Sequence, residues 1–379
     1  MLRQEKLYSA NSRMKIEHYK GIKLHIYRMT AIICSGLLVF GLDIFDQSIS
    51  VQAADKSGSG ILLESLSEKT PKKDYQFKDY ADELKRREYT YKISVKQAEE
   101  LLEGSGEIAP VHEDWLASKE QMRELKKELI KLLKDTDGTW SIYVKDLKSR
   151  VSFSIHNEEM YAASLVKLFV MEKCFADYKE LVANDMKNSD DKECSTKHIR
   201  TLLKGMIEVS DNESFNELVK LQNADKDFEE GAEEINQYLE TQGYTDTGVY
   251  HTLHPSFSEC EWISDERNHT SVEDCGLLLE RIYEGDCVSK KASAEMMELL
   301  LNQQLTEKIP AGLQENEMVV CANKTGETES DNHDAAIVFG SKKDYVLCIM
   351  SSEWEDSNEA VAAIQEISKI VYEMLNNDK

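Results

Sequence analysis

Two groups of strand-forming residues stand at opposite ends of the patterned part of this chain, with helical periodicity between them. Trp140, Ile142 and Val144 alternate with polar residues. After the turn Asp146-Leu147-Lys148-Ser149-Arg150 the alternation resumes at Val151, Phe153 and Ile155. Alternating side chains line one face of a strand. β-forming residues return only at Glu317 to Thr325, Ala335 to Gly340 and Tyr345 to Met350. A chain that supplies strands early and late, with helices between, predicts α+β architecture: one antiparallel sheet with helices packed on it.

The helices are read from apolar spacing. Met122, Leu125, Leu129, Ile130, Leu132 and Leu133 share a face, and Asp135-Thr136-Asp137-Gly138 ends that helix. Further helices are predicted over Lys197 to Val209, Glu213 to Leu221, Phe228 to Thr241, Ser271 to Tyr283, Ala292 to Leu301 and Glu359 to Leu375. Gly243 to Asn268 has no periodicity, and loops of that length in compact domains are often functional.

Net charge is -25, with hydrophobic content of 41%. The hydrophobic content is enough for a core, and the acidity excludes nucleic acid as a partner, since phosphate binding needs basic surface. The first 28 residues are nevertheless basic: Arg3, Lys6, Arg13, Lys15, Lys20, Lys23 and Arg28 outnumber Glu5 and Glu17. Residues 29–42 then run without a charge, and Val51-Gln52-Ala53 has the small-residue pattern of a signal cleavage site. Residues 1–54 are therefore expected to export the chain. They leave it either secreted or held on the outer side of the membrane by an uncleaved anchor through residues 29–45. Residues 55–117 read as a polar spacer, and residues 118–379 as the folded, catalytic part. Of eight cysteines, none forms a C-x-x-C pair, so a zinc ribbon is not indicated. The expectation is mostly free, buried thiols.

Three motifs follow one another. Ser164-Leu165-Val166-Lys167 opens the apolar run Leu168-Phe169-Val170-Met171, so Ser164 heads a buried helix with a lysine one turn on. A serine hydroxyl needs an adjacent base, and a partly desolvated lysine amine can serve. Ser210-Asp211-Asn212 carries N-cap chemistry, with Ser210 expected to cap the next helix. Ser210 can relay a proton to a leaving nitrogen, and Asn212 can bond a substrate amide and the lysine. Lys324-Thr325-Gly326 adds a fixed positive charge suited to a substrate carboxylate, a hydroxyl, and a residue without a side chain where substrate can lie along the strand. The N–H groups of Ser164 and Glu327 can form an oxyanion hole. Ser12-Arg13-Met14-Lys15 and Ser330-Asp331-Asn332 repeat two of the motifs outside this order, so the ordered triple is the specific signal.

Over about residues 118–379, this set resembles the class A β-lactamase and penicillin-recognising serine hydrolase family. The likeness lies in Ala163–Lys167, Met206–Asn212, Lys324–Gly326 and His333–Val338. It implies an antiparallel five-stranded sheet flanked by helices, with the nucleophile at the start of a buried helix. It also implies an enzyme that opens β-lactams through an acyl-enzyme on Ser164. Its alternatives are a D-alanyl-D-alanine peptidase, or a penicillin-binding sensor that stays acylated. The expected substrate is a β-lactam or a D-Ala-D-Ala-like small molecule, bound by a monomer that uses no cofactor and no metal.

Ser164 and Ser210 are separated by 46 residues (210 − 164), fewer than the family usually has. The family's loop glutamate, which frees the acyl-enzyme, has no clear counterpart. Asp265-Glu266-Arg267-Asn268-His269-Thr270 resembles the end of that loop, and counting back places Pro255 at the glutamate. Glu259, in the same loop, is the candidate base, with Glu261 beside it. His251-x-x-His254, Cys260 and His269 bring metal-ligand types close together, but an H-x-x-H in a loop lacks the helical geometry that zinc sites usually use.

Overall fold

The computed structural model describes residues 110–186, 192–314 and 319–377. The expected signal or anchor, and the spacer up to residue 109, lie outside the described residues. The first helix among the described residues, α1 (Pro110–Leu133), starts inside the expected spacer, ahead of the boundary at 118. Its core contacts begin only at Met122, and Leu116 is exposed, so an apolar stripe marks the helix late.

β1 (Thr139–Asp146) and β2 (Ser152–Ile155) pair antiparallel, with Ile142 opposite Ile155. The short strands β3 (Met160–Tyr161) and β4 (His269–Thr270) form a separate two-stranded ribbon. β5 (Val320–Glu327), β6 (Asp331–Phe339) and β7 (Tyr345–Ser352) complete the main sheet in the order β2-β1-β7-β6-β5, antiparallel throughout. The chain thus places early strands beside late ones, and β5 is left at an edge.

Between the strand groups run α2 (Val166–Ala176), α3 (Tyr178–Met186), α4 (Lys192–Glu208), α5 (Asn212–Lys220), α6 (Phe228–Gln242), α7 (Val272–Glu284) and α8 (Lys290–Leu301), and α9 (Ser357–Asn376) closes the fold. Several starts are set by caps that the sequence displays. Asp211, Asp227, Ser271, Ser289 and Asp356 each accept a backbone N–H from the first turn of the helix they precede. α4 starts earlier than expected, at Lys192.

One sheet face packs on α1 and α9, where Leu125, Leu129, Ile364, Ile367 and Val371 meet Ile142, Val144, Leu347 and Ile349. The other face packs on α7. With both faces covered, β6 is buried along its whole length and does not alternate. This is why the strand starts at Asp331 and not at Ala335. Asp331, Asn332, His333 and Asp334 are polar but buried, and each of the last three spends its side chain on a bond inside the fold. Of the second Ser-Asp-Asn, only Ser330 remains wholly in the turn.

α2 is buried from Val166 to Cys174. A helix enclosed on all sides lies at the centre of its domain. Its inner carboxylate, Glu172, accepts hydrogen bonds from the Tyr238 and Tyr244 hydroxyls at 3.2 and 2.7 Å. Cys174, Cys275, Cys287 and Cys348 are buried free thiols, as expected.

Candidate active site

Ser164 sits in a single 3-10 turn, Ala163–Leu165, that runs into α2. No side chain caps either start. An anion is favoured at such a helix start. Ala163 is held at φ 44, a left-handed conformation that costs a residue with a Cβ about 1–2 kcal/mol. Long-range bonds impose it. The Ala162 N–H donates to the Asn268 carbonyl at 2.8 Å, and His333 Nε2 lies 2.9 Å from the Tyr161 carbonyl. Since His333 Nδ1 accepts the Ser351 N–H at 3.2 Å, its proton is on Nε2, which donates to Tyr161. One anchor comes from β6 of the main sheet and the other from beside β4, so the sheet and the ribbon together fix where Ser164 points.

Lys167, one turn on, is fully buried. Its Nζ lies 2.7 Å from the Ser210 carbonyl, 2.7 Å from Asn212 Oδ1 and 3.0 Å from Ser164 Oγ. The first two are pure acceptors. A neutral amine has two N–H groups for them and one lone pair left for the Ser164 hydroxyl proton. Burial drives the Lys167 pKa down to about 7, against a smaller opposing pull from Asp211. The base that Ser164 needs is therefore available near neutral pH.

Ser210 does not cap α5. Asp211 does, its carboxylate accepting the Ser214 N–H at 2.7 Å. Ser210 is instead held at φ 59. That twist turns its carbonyl and its hydroxyl to Lys167, the hydroxyl at 3.3 Å, and leaves the hydroxyl 2.8 Å from Lys324 Nζ. Ser210 is thus a bridge between two buried amines. Burial, then the charge of Lys167, pushes the Lys324 pKa well below its ordinary value, and Asp334 works in the opposite direction. A negative charge arriving beside Lys324 would restore its charge, because an opposite charge favours the ionised form. Burial raises Asp334 to about 6, while Asn323 Nδ2 at 3.0 Å and the Ile309 N–H at 2.9 Å hold it down.

Thr325, Gly326 and Glu327 continue from Lys324 along β5. Gly326 is opposite His333 and Glu327 opposite Asn332. The Thr328 N–H bonds the Asp331 carbonyl at 3.0 Å. Antiparallel alternation then turns the N–H and C=O of Thr325 and Glu327 to the free edge. Gly326 has a tighter reason for being glycine than the passage of substrate. A Cβ there would stand 3.2 Å from the Ala162 carbonyl and 3.3 Å from the backbone nitrogens of Ser164 and Leu165. The edge of β5 is thereby pressed against the start of α2, with the Ser164 and Glu327 N–H groups flanking the gap.

The structure does not bring Glu259 to this cluster. Thr252 and Glu261 close a loop through two bonds, Thr252 N–H to Glu261 carbonyl at 3.0 Å and Glu261 N–H to Thr252 Oγ1 at 2.8 Å. Asn216 grips Leu253 through both backbone groups. Residues 255–259 are then the exposed tip, with Glu259 at the end of a short 3-10 turn. His251 packs inward, stacked on Tyr161 and 4.3 Å from the Trp262 ring centroid. Its Nδ1 lies 2.7 Å from the Thr252 carbonyl. Among the described residues no group of three His, Cys, Asp or Glu gathers as a metal site.

Sequence reading missed Lys308. It lies in the link after α8 and is buried, with Nζ 3.2 Å from the Gly326 carbonyl and 3.0 Å from Glu327 Oε2. No local pattern marks it, although Ile309 and Leu313 beside it belong to the core. Asn268 and His333 stood in quoted motifs without a role. They are the anchors of the Ser164 turn.

A lysine-assisted serine at the head of a buried helix, faced by the free edge of an antiparallel sheet, is a serine acyl-transfer site. The sequence profile of the beta-lactamase enzyme family matches residues 124–375, and the chain belongs to that family. It is a β-lactamase-like serine hydrolase domain. Among solved structures, PBP-A is similar at 21% identity and a TM-score of 0.54, over 66% of this chain and 95% of that one. An ancestral class A beta-lactamase (GNCA) is similar at 18% and 0.54, over 66% and 99%. The L158E mutant of PBP-A, solved as an acyl-enzyme complex with penicillin G, is similar at 20% and 0.54, over 66% and 96%. Among curated proteins none matches.

Proposed function

We propose that the chain is an exported serine hydrolase that opens β-lactams by acylation on Ser164. The carrying observation is the set of partners around Lys167, which leaves its lone pair for the Ser164 hydroxyl. Lys167 takes the Oγ proton as Oγ attacks the carbonyl carbon. The oxygen becomes anionic in reach of the Ser164 and Glu327 N–H groups. The C–N bond then breaks, and the nitrogen takes a proton from the Ser210 hydroxyl, which Lys167 replenishes across 3.3 Å. Lys324 and Thr325 receive the substrate carboxylate. Export rests on the basic, apolar and small-residue order of residues 1–54.

The placement of Glu259 favours a second reading of the later step. Hydrolysis of the ester needs a base within reach of a water at Ser164, and Glu259 is at the exposed loop tip. On that reading the chain is a slow-turnover penicillin-binding protein or a peptidase for D-Ala-D-Ala-like substrates. Intact mass spectrometry with penicillin over time tests both readings. The parent gains the mass of penicillin on Ser164, and Ser164→Ala gains none. Undiminished labelling of Ser164→Ala would sink the proposal. Rapid loss of the adduct assigns a β-lactamase, and persistence assigns the second reading. If Glu259 is a bystander, Glu259→Gln and Glu261→Gln release the adduct at the parent's rate.

A further inference from the structure

Three lysines converge where β5 meets the head of α2. Lys167 and Lys324 share the Ser210 hydroxyl, and Lys308 reaches the same strand from the link after α8. Lys308 is the one whose charge already has a carboxylate, that of Glu327 at 3.0 Å. The two partners differ in freedom. The Lys308 side chain is 3% exposed and fixed by the Gly326 carbonyl, whereas the Glu327 side chain is 69% exposed. Thr325 and Glu327 are two apart on a strand, so their side chains lie on one face. The Glu327 carboxylate, held by Lys308, therefore lies on the same face of β5 as Thr325, which the proposed function assigns to a substrate carboxylate. It also acts on Lys324, along with Lys308 and Asp334. An anionic substrate must displace this carboxylate from Lys308 or lie next to it.

We infer that the Glu327 carboxylate is an internal occupant of the cationic end of the cleft, and that it makes the site favour acyl donors that are neutral at that end over those bearing a carboxylate. The inference rests on the acylation reading above. The Glu327 main-chain N–H serves the oxyanion; the side chain sets which substrate charge is accepted.

The test compares acylation of Ser164 by benzylpenicillin and by its methyl ester, expressed as the ratio of their second-order rate constants. Both compounds meet the same protein, so the ratio does not depend on how much of it is active. Glu327→Gln should raise the acid-to-ester ratio about fivefold, the worth of one exposed ion pair. Glu329→Gln makes the same charge change in the same hairpin without reaching Lys308, and should leave the ratio as in the parent. An unchanged ratio in Glu327→Gln, or an equal rise in Glu329→Gln, overturns the inference while Ser164 labelling still stands. Failure of both compounds to label the parent overturns the functional reading and the inference together.

Discussion

A lysine among two acceptors and a hydroxyl works as a base only when it has lost its charge. Burial removes that charge from Lys167 at an unusually low pH, about 7. The sign follows directly: below that pH the amine is protonated and cannot take the Ser164 proton; above it the amine is ready. Acylation by the uncharged penicillin ester should rise about tenfold per pH unit up to roughly pH 7 and level off above it. Stopped-flow or quenched mass measurements across pH 5 to 9 read this out. Lys167→Arg should flatten the profile and slow acylation by at least ~10²-fold, since a guanidinium does not deprotonate in this range. A parent profile still climbing at pH 9 would contradict a Lys167 base of that pKa. Ser164, Lys167, Asn212 and Lys324 were readable because their motifs are short and local. The role of Ser210 was only half readable. Its type and place are in the sequence, but φ 59 is imposed by what surrounds it, and Asp211 takes the capping role.

At the scale of elements, the proposed acylation depends on how closely an edge strand approaches a helix start. Gly326 sets that approach. In Gly326→Ala the new methyl would meet the Ala162 carbonyl at 3.2 Å and the Ser164 and Leu165 nitrogens at 3.3 Å. Backbone gives way by tenths of an ångström, and β5 moves off Ser164. The oxyanion donors then move apart, and small misplacements at reacting atoms are costly. Acylation should fall roughly ten- to a hundredfold, while the melting temperature moves by only a few degrees. Measuring both on one preparation checks it. A fall in melting temperature without loss of acylation would assign Gly326 a purely structural role. The sequence placed Gly326 after Lys324-Thr325 on an extended segment. It could not show that the neighbour is a helix start and not a substrate, because that neighbour lies far away in the chain.

Among the described residues, an ion pair with a buried carboxylate joins the link between β6 and β7 to the end of β1. Lys343, in the link between β6 and β7, reaches Asp146 Oδ2 at 2.7 Å, Gln121 Oε1 at 2.8 Å and Ser118 Oγ at 3.0 Å. Burial opposes ionisation of Asp146, but the Lys343 bond and those from Ser149 outweigh it and hold the carboxyl below its ordinary pKa. With the folded pKa depressed, this stabilisation is present above the unfolded value, about pH 4, and is lost as pH falls through the folded one. Lys343→Met should therefore lower stability at pH 7 by about 3 kcal/mol, as breaking a buried pair does. The deficit should shrink at pH 3, below the unfolded value, where the unfolded chain gains a proton that the parent's Lys343 bond resists. Urea unfolding at the two pH values checks it, and an equal deficit at both would remove the ion pair from the explanation. The sequence by itself determined the strands at both ends, most of the helices between them, and the order of the three motifs. These are fixed by short-range periodicity and by side chains a few positions apart. Only the tertiary structure decided that Asp331 to Asp334 continue a fully buried strand, that Lys308 arrives at Gly326 and Glu327, and that Glu259 sits at an exposed loop tip. It also decided that two lysines lose their ordinary basicity. Burial and contact between distant residues are set by packing, and a linear pattern does not carry them.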